Sequence, residues 1–415
     1  MHVVMFADQH VESLGGAQVS MRLQRRFLER AGHTVTIVAP RMHRPAPTDA
    51  AYVDLPSIPV TLDREYALSW PGRRTDRLVD AALAGRAPVD VVHVQADFWG
   101  AFIGHRYAAR QGLPVVHTMH NRVDVGIEAT TPFPGLVMRV LNAWARRALR
   151  PALRGREPRH EPDGWAYLRR LARLSAAVTA PSAHFARRLE AHGAVPGDTV
   201  RGTEDTARVD VVWNGIDDDI LDAALAAGSA ERRPGRPRFV WIGRMSPEKR
   251  LLPFLEAVAA AGIDAEVEVI GGGAQLRAAR RLVERTRPVA SIHFAGRMPY
   301  ARTLARLAAA DAVVQTSIGF ETQGMTVFEA ASLGTPAVVS DPDIAAELGG
   351  GVWSVADATV AALAETLRRA AADIAAGSPV AVDPTIGERF RQSSRTAAMS
   401  TVPESSFSPP QTIHS

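Results

Sequence analysis

Residues 310–339 read Ala-Asp-Ala-Val-Val-Gln-Thr-Ser-Ile-Gly-Phe-Glu-Thr-Gln-Gly-Met-Thr-Val-Phe-Glu-Ala-Ala-Ser-Leu-Gly-Thr-Pro-Ala-Val-Val. The run 312–315 is β-prone and apolar on both sides of the pleat, which predicts a buried parallel strand. A polar loop with Gly324 follows, then Val327, Phe328, Ala330, Ala331 and Leu333 at helical spacing, closed by Gly334 and Pro336. Strand, loop, short helix, strand is the unit of a doubly wound α/β sheet. Glu321 leaves the carboxyl end of the strand, where such sheets bind ligands. Glu329 falls about two turns into the helix, on the side predicted to face away from its apolar stripe. One carboxylate in the loop and one on the helix suit an elongated ligand rich in hydroxyls. The amides of Gly324, Met325 and Thr326 open onto a helix N-terminus, which favours an anion.

Working outward, Phe239-Val240-Trp241-Ile242 predicts a strand, followed by Gly243-Arg244-Met245-Ser246-Pro247-Glu248-Lys249-Arg250 and a helix. Of 48 basic residues only Lys249 is lysine. Arginine is a planar fork and lysine a compact point charge on a flexible stem, so a lone lysine at a strand's carboxyl edge marks a position of interest. Arg244 and Lys249 can converge there on a diphosphate. Val267-Glu268-Val269-Ile270-Gly271-Gly272-Gly273 predicts another strand running into a glycine loop, and Ile292 to Pro299 a third.

The Glu-x7-Glu spacing of Glu321 and Glu329, with the Gly-Arg-x4-Lys run ending at Lys249, resembles the signature of retaining glycosyltransferases of family 4. The variant Glu-Thr-Gln-Gly-Met-Thr-Val-Phe-Glu-Ala is similar to the diacylglycerol glucosyltransferase branch. The resemblance covers roughly residues 1–402. It implies the GT-B fold, two doubly wound Rossmann-like α/β domains facing across a cleft, and a nucleotide-diphosphate sugar as co-substrate, with no cofactor and no metal. It implies that Arg244 and Lys249 clamp the diphosphate, that Glu321 contacts sugar hydroxyls, and that Glu329 contacts the ribose. Gly271, Gly273, Arg297, Met298, Gln323, Gly324, Met325 and Thr326 then complete the donor site, with the base held by main chain near Arg297 and Met298. Retention without a protein nucleophile implies a front-face reaction in which the leaving phosphate takes the acceptor's proton.

The N-terminal half alternates apolar β-runs (2–7, 34–39, 90–94, 115–119, 177–180) with helical patterns (17–30, 101–111, 184–192). Asp8 to Ala17 holds Gly15 and Gly16 between the first strand and a helix, where a glycine pair either admits a close ligand or makes a tight turn. By resemblance both face the donor, His120 is the active-site histidine beside the transferred sugar, and Asn214 opens the interdomain Asn-Gly-Ile-Asp motif at the donor. His117, inside the strand, reads as packing. Asp217, Asp218 and Asp219 open a helix and suit its dipole, so they read as structural.

The 415-residue length predicts two domains. The expected division is 1–205 (acceptor side), 206–237 (linker), 238–384 (donor side), 385–402 (a helix returning to the first domain) and 403–415 (a disordered Pro- and Ser-rich tail). Absence of cysteine excludes disulfides and thiol chemistry. A net charge of +4 gives no sign of a nucleic-acid partner. The chain begins on a strand pattern and has no bilayer-length apolar run, which predicts a cytoplasmic protein.

From Pro134 the pattern turns amphipathic, with Leu136, Val137, Val140, Leu141, Trp144 and Ala148 expected on one face and Arg146, Arg150 and Arg154 on another. Two readings stand for the 136–173 region and its arginines: an ordinary surface helix with a basic loop, or an interfacial helix touching anionic lipid on the inner face of the membrane. The second goes with a lipid acceptor such as diacylglycerol. A soluble sugar, a polysaccharide end and a non-catalytic nucleotide-sugar-binding protein are the alternatives.

Overall fold

The computed structural model describes residues 1–13, 15–61, 64–153, 163–195, 209–231 and 235–400. Arg154, Arg156, Arg159, most of the 194–208 segment and the tail from Pro403 lie outside them. The chain divides into two compact units, Met1–Asn214 together with the chain from Arg395 onward, and Gly215–Ser394.

In the first unit, the strands are β1 (His2–Ala7), β2 (Thr34–Pro40), β3 (Tyr52–Leu55), β4 (Ile58–Pro59), β5 (Ala67–Leu68), β6 (Val91–Gln95), β7 (Val115–Thr118), β8 (Ala177–Ala180) and β9 (Asp210–Val211). Seven of them form one parallel sheet in the order β3-β2-β1-β6-β7-β8-β9, while β4 and β5 pair antiparallel as a separate hairpin. β1 is buried along its whole length, as expected of a strand flanked by neighbours and covered on both faces. Phe6, Phe102, Tyr107, Tyr167 and Phe185 fill the larger of its cores. The order reverses between β1 and β6, and the crevice beyond their carboxyl ends is where ligands bind in such sheets.

The second unit contains β10 (Arg238–Arg244), β11 (Glu266–Gly272), β12 (Ser291–Gly296), β13 (Ala312–Gln315), β14 (Ala337–Val339) and β15 (Val352–Ser354). Their order is β12-β11-β10-β13-β14-β15, all parallel. That is the dinucleotide-fold order, with its switch point between β10 and β13. Trp241, Phe239, Phe254 and Leu255 anchor the core on one side of this sheet. Helix Met325–Ser332, between β13 and β14, is buried from Val327 to Ser332, and Phe328 stacks on Phe390 at 4.6 Å between ring centres.

The stretch 385–402 is not one helix. Ile386–Phe390 and Gln392–Ser400 are separated at Arg391, where the backbone leaves the helix to bridge Ile216: Ile216 N–H donates to Phe390 O at 2.7 Å and Gln392 N–H to Ile216 O at 2.8 Å. Helix Pro134–Leu149 also departs from expectation. It buries Met138, Asn142, Ala145, Ala148 and Leu149 and leaves Leu136, Val137 and Val140 outside. Among the described residues, no helix is long and apolar enough to cross a membrane.

Candidate active site

The switch point of the second unit gathers the chemistry. β10 delivers Arg244, and the 3-10 turn Pro247–Lys249 brings Lys249 back over the end of the sheet. Arg250 then takes a left-handed conformation, φ 56°, rare for a side chain larger than asparagine. Thr316, just past β13, pins this turn: its hydroxyl donates to Lys249 O at 2.6 Å and accepts from Trp241 Nε1 at 2.9 Å. Lys249 Nζ pairs directly with Glu321 Oε1, and Ser317 Oγ donates to the same oxygen at 2.7 Å. The Lys249 ammonium also stands 5.4 Å from the centre of the Phe320 ring. Both partners stay partly open, 22% and 17% exposed. Arg244, 58% exposed, is steadied by Glu248 at 3.2 Å, which Ser246 also holds.

Two glycines shape the floor. At Gly271 φ is 127°, and a Cβ there would lie 2.0 Å from Gly243 O, so β10 and β11 approach through a position only glycine fills. At Gly273 a Cβ would lie 2.7 Å from Met245 O, and Arg297 lies along Gly272, its Nε 3.3 Å from where a Cβ would be. Met298 follows, half-buried. Gly324, φ 79°, caps helix Met325–Ser332 and has no side chain to offer its first amides. A ligand anion suits them. Gln323 is almost wholly buried, while Met325 and Thr326 are half-buried.

Glu329 is not on an open helix face. It is 7% exposed, and Tyr300 Oη donates to its Oε1 at 2.8 Å. Helix Tyr300–Ala309 covers the side that the apolar pattern left free, which periodicity within 325–332 alone does not register. Burial pushes the Glu329 carboxyl up to about 7, with the Tyr300 hydrogen bond opposing. Tyr300 carries no motif; only its place at the start of a helix after β12 could have marked it.

The remaining assigned residues lie on the first unit. Gly15 is the N-cap of helix Gly16–Arg30. His120 follows β7, its N–H donating to Asp97 Oδ2 at 2.9 Å, and Asn121 Nδ2 donates to the same oxygen at 2.7 Å. Asp97, wholly buried after β6, also has His117 Nε2 at 3.4 Å from its other oxygen, with His105 Nε2 3.1 Å from His117 Nδ1 behind it. His117 therefore packs, as its strand position implied, but against an acid. Asp8, after β1, accepts from the N–H groups of Asp97, Phe98 and Gly100. Burial and the charge of Asp97 push Asp8 up to about 7. The pair Asp8 and Asp97 marks the switch point of this sheet, and sequence spacing did not single it out. Asn214 accepts from Ser20 Oγ at 2.6 Å. Asp217 caps helix Asp218–Glu231, accepting from Asp219 and Ile220 N–H.

A family model described as Glycosyltransferase Family 4 matches residues 14–220, and one described as Glycosyl transferases group 1 matches residues 236–373. The fold is similar to that of sucrose-phosphate synthase from Thermosynechococcus elongatus, at TM-score 0.67 and 16% identity over 97% of each chain. It is similar to the Anabaena HepE protein in complex with UDP-glucose, at TM-score 0.63 and 16% identity over 96% of this chain and 98% of that one. The catalytic domain of starch synthase IV from Arabidopsis thaliana gives 0.53 and 15% over 95% of each. No curated protein sequence matches the chain. With two doubly wound parallel sheets and a glycosyltransferase match on each unit, the chain belongs to the GT-B glycosyltransferases, which transfer a sugar from a nucleotide sugar.

Proposed function

We propose that this chain transfers a hexose, with retention, from a nucleotide-diphosphate sugar to a hydroxyl of a membrane lipid, diacylglycerol being the first candidate. The observation that carries the donor half is the Lys249–Glu321 pair at the β10/β13 switch point. A cation for the pyrophosphate and an acid for the sugar hydroxyls stand side by side there. Lys249 and Arg244 neutralise charge as the diphosphate leaves, the electrostatic contribution that usually dominates such sites. The amides at Gly324–Thr326 add to it, and Glu329 takes the ribose. His120 is the histidine assigned to the reacting sugar. The similar Anabaena protein holds UDP-glucose, so UDP-glucose heads the donor series. The test measures release of UDP, GDP and ADP from their sugars, alone and with diacylglycerol vesicles. Nucleotide binding without release from any donor would instead favour a binding protein, and release stimulated only by soluble sugars would remove the lipid.

The lipid half is supported by helix Pro134–Leu149. Phe133, Leu136 and Val140 are 69%, 60% and 61% exposed, spaced to form a second apolar stripe opposite the buried one. Trp70, 64% exposed and stacked on Trp144, extends it. Arg139, Arg146, Arg147 and Arg150 lie exposed beside the stripe, so the helix offers apolar anchors flanked by cations, as an interfacial helix does. Wild-type protein is expected to float with anionic vesicles. Since a buried Leu or Val side chain is worth about 1.5–3 kcal/mol, Leu136→Ser/Val140→Ser is expected to weaken binding at least about tenfold, with activity on a soluble acceptor analogue kept. Equal flotation of the two proteins, or none for wild type, would end the membrane assignment.

A further inference from the structure

Five side chains of the first unit form a hydrogen-bonded run that ends on His120. Ser20 Oγ donates to Asn214 Oδ1 at 2.6 Å, Gln24 Nε2 to Ser20 Oγ at 3.1 Å, and Gln95 Nε2 to Gln24 Oε1 at 2.6 Å; His120 Nε2 lies 3.3 Å from Gln95 Oε1. Ser20, Gln24, Gln95 and Asn214 are all more than nine-tenths buried. Buried amides are kept only when their bonds are made, so the run has one direction or the other. Reversed, it would make His120 Nε2 an acceptor.

The surroundings of Gln95 choose. The end of its amide that faces Gln24 also faces Met5 Sδ at 3.8 Å and His93 Nδ1 at 3.5 Å. A thioether has no hydrogen to give, so the NH2 group belongs in that corner and a carbonyl there would meet a second acceptor. His93 agrees. Burial pushes it down to about 3, keeping it neutral, and its Nε2, 2.8 Å from Thr118 Oγ1, donates to that hydroxyl when Nδ1 holds the lone pair. With the NH2 inward, Gln95 Oε1 faces His120 and calls for a donor.

We propose that Gln95 is a positioning residue that holds His120 as the Nε2–H tautomer, so that Nδ1 carries the ring's lone pair and accepts a hydrogen bond from a substrate hydroxyl during transfer. The transfer half rests on the assignment of His120 to the reaction, while the tautomer does not. Asp97, through the His120 main chain, His117 and His93 are among the charged or titratable groups that act on His120 besides the Gln95 contact. Burial lowers the ring's affinity for a second proton, opposed by Asp97. A second proton would turn Nδ1 into a donor, so activity is lost on the acid side.

The test is long-range proton–nitrogen NMR on the full chain labelled at histidine, with His120→Gln for assignment. The expected spectrum shows His120 Nδ1 as the unprotonated nitrogen. Gln95→Leu is expected to mix the tautomers and lower kcat about ten- to hundredfold, leaving UDP affinity unchanged. In Gln95→Glu, a carboxylate on Nε2 is expected to keep the tautomer and move the acid limb of kcat to higher pH. A wild-type Nδ1–H spectrum overturns the proposal, as does a Gln95→Leu protein with both tautomer and kcat intact. Should Gln95→Leu fail to fold, the wild-type spectrum decides alone. An Nε2–H tautomer in a protein that transfers no sugar would leave the positioning role standing and discard the reaction.

Discussion

Replacing Lys249 with alanine is expected to lower kcat/KM for the sugar donor by roughly two orders of magnitude or more, as is Glu321→Ala, with the fold kept. Lys249 is the sole lysine of the chain, held by a turn that Thr316 and Trp241 fasten to the end of the sheet. Its charge meets Glu321, itself steadied by Ser317. Both side chains are partly open, so their pairing adds little to stability and thermal unfolding is expected to move by only a few degrees. Because each residue is the other's partner, the double variant should lose less than the product of the single losses. Lys249→Arg is informative as well. A planar fork on a different stem does not replace a compact ammonium, so little activity should return. Near-normal turnover in Lys249→Ala or Glu321→Ala would strip that residue of its role, and a collapse in thermal stability would show that the turn, not the charge, was lost.

The strands β1, β8 and β13 are legible in the sequence because a strand covered on both faces is mostly apolar, and a run such as Val3-Val4-Met5-Phe6 admits few alternatives. β3 is different. Tyr52-Val53-Asp54-Leu55 is four residues long at a sheet edge, and its pairing with Ile37 to Pro40 of β2 is non-local. The helix Arg73–Ala84 and the hairpin of β4 and β5 beside it are equally hard to read from the sequence. Lys249, Glu321 and Gly271 are legible for a related reason, since each breaks a local rule: a unique residue type, an acid at a strand's end, a glycine where a strand would prefer a side chain. Gln95, Asp97 and Tyr300 break none. Their significance is their neighbours, which come from β1, helix Gly16–Arg30 and helix Met325–Ser332. The burial of Glu329 has the same origin, because a helix pattern records one buried face and Tyr300 supplies a second.

The two sheets repeat one device with different chemistry. In each, the strand order reverses between two strands whose carboxyl ends carry polar side chains. The second unit puts a partly open cation and acid there, Lys249 and Glu321. The first puts two acids there, Asp8 half-buried and Asp97 wholly buried, which accept from main-chain N–H groups and so set the backbone from Asp97 to Gly100 and at His120. In the proposed function one crevice meets charge on a ligand, while the acids of the other order the backbone around it.

Glu329→Gln is expected to make the protein more stable and the donor site weaker, with the stability gain appearing only above the acid range. The carboxyl is raised from 4.5 to about 7 by burial. Below pH 4.5 it is protonated folded or unfolded, and nothing distinguishes wild type from variant. Between 4.5 and about 7 the unfolded chain releases the proton while the native state keeps it, so wild-type stability falls as pH rises. Above 7 the loss levels off at about 3 kcal/mol, the integral of a shift of this size. Glutamine accepts from Tyr300 without that cost. At pH 8 the variant is expected to melt several degrees higher, and at pH 4 at the wild-type temperature. UDP affinity should fall about ten- to hundredfold, since hydrogen bonds to a charged group are worth roughly 1.5–3 kcal/mol. Tyr300→Phe is the complement. It removes the one hydrogen bond that lowers the Glu329 carboxyl, so the pH at which UDP binding rises should move upward. A Gln variant no more stable at pH 8 than at pH 4 relative to wild type would mean that Glu329 is not titrating from a buried site, and that its carboxylate reaches solvent without the Tyr300 contact.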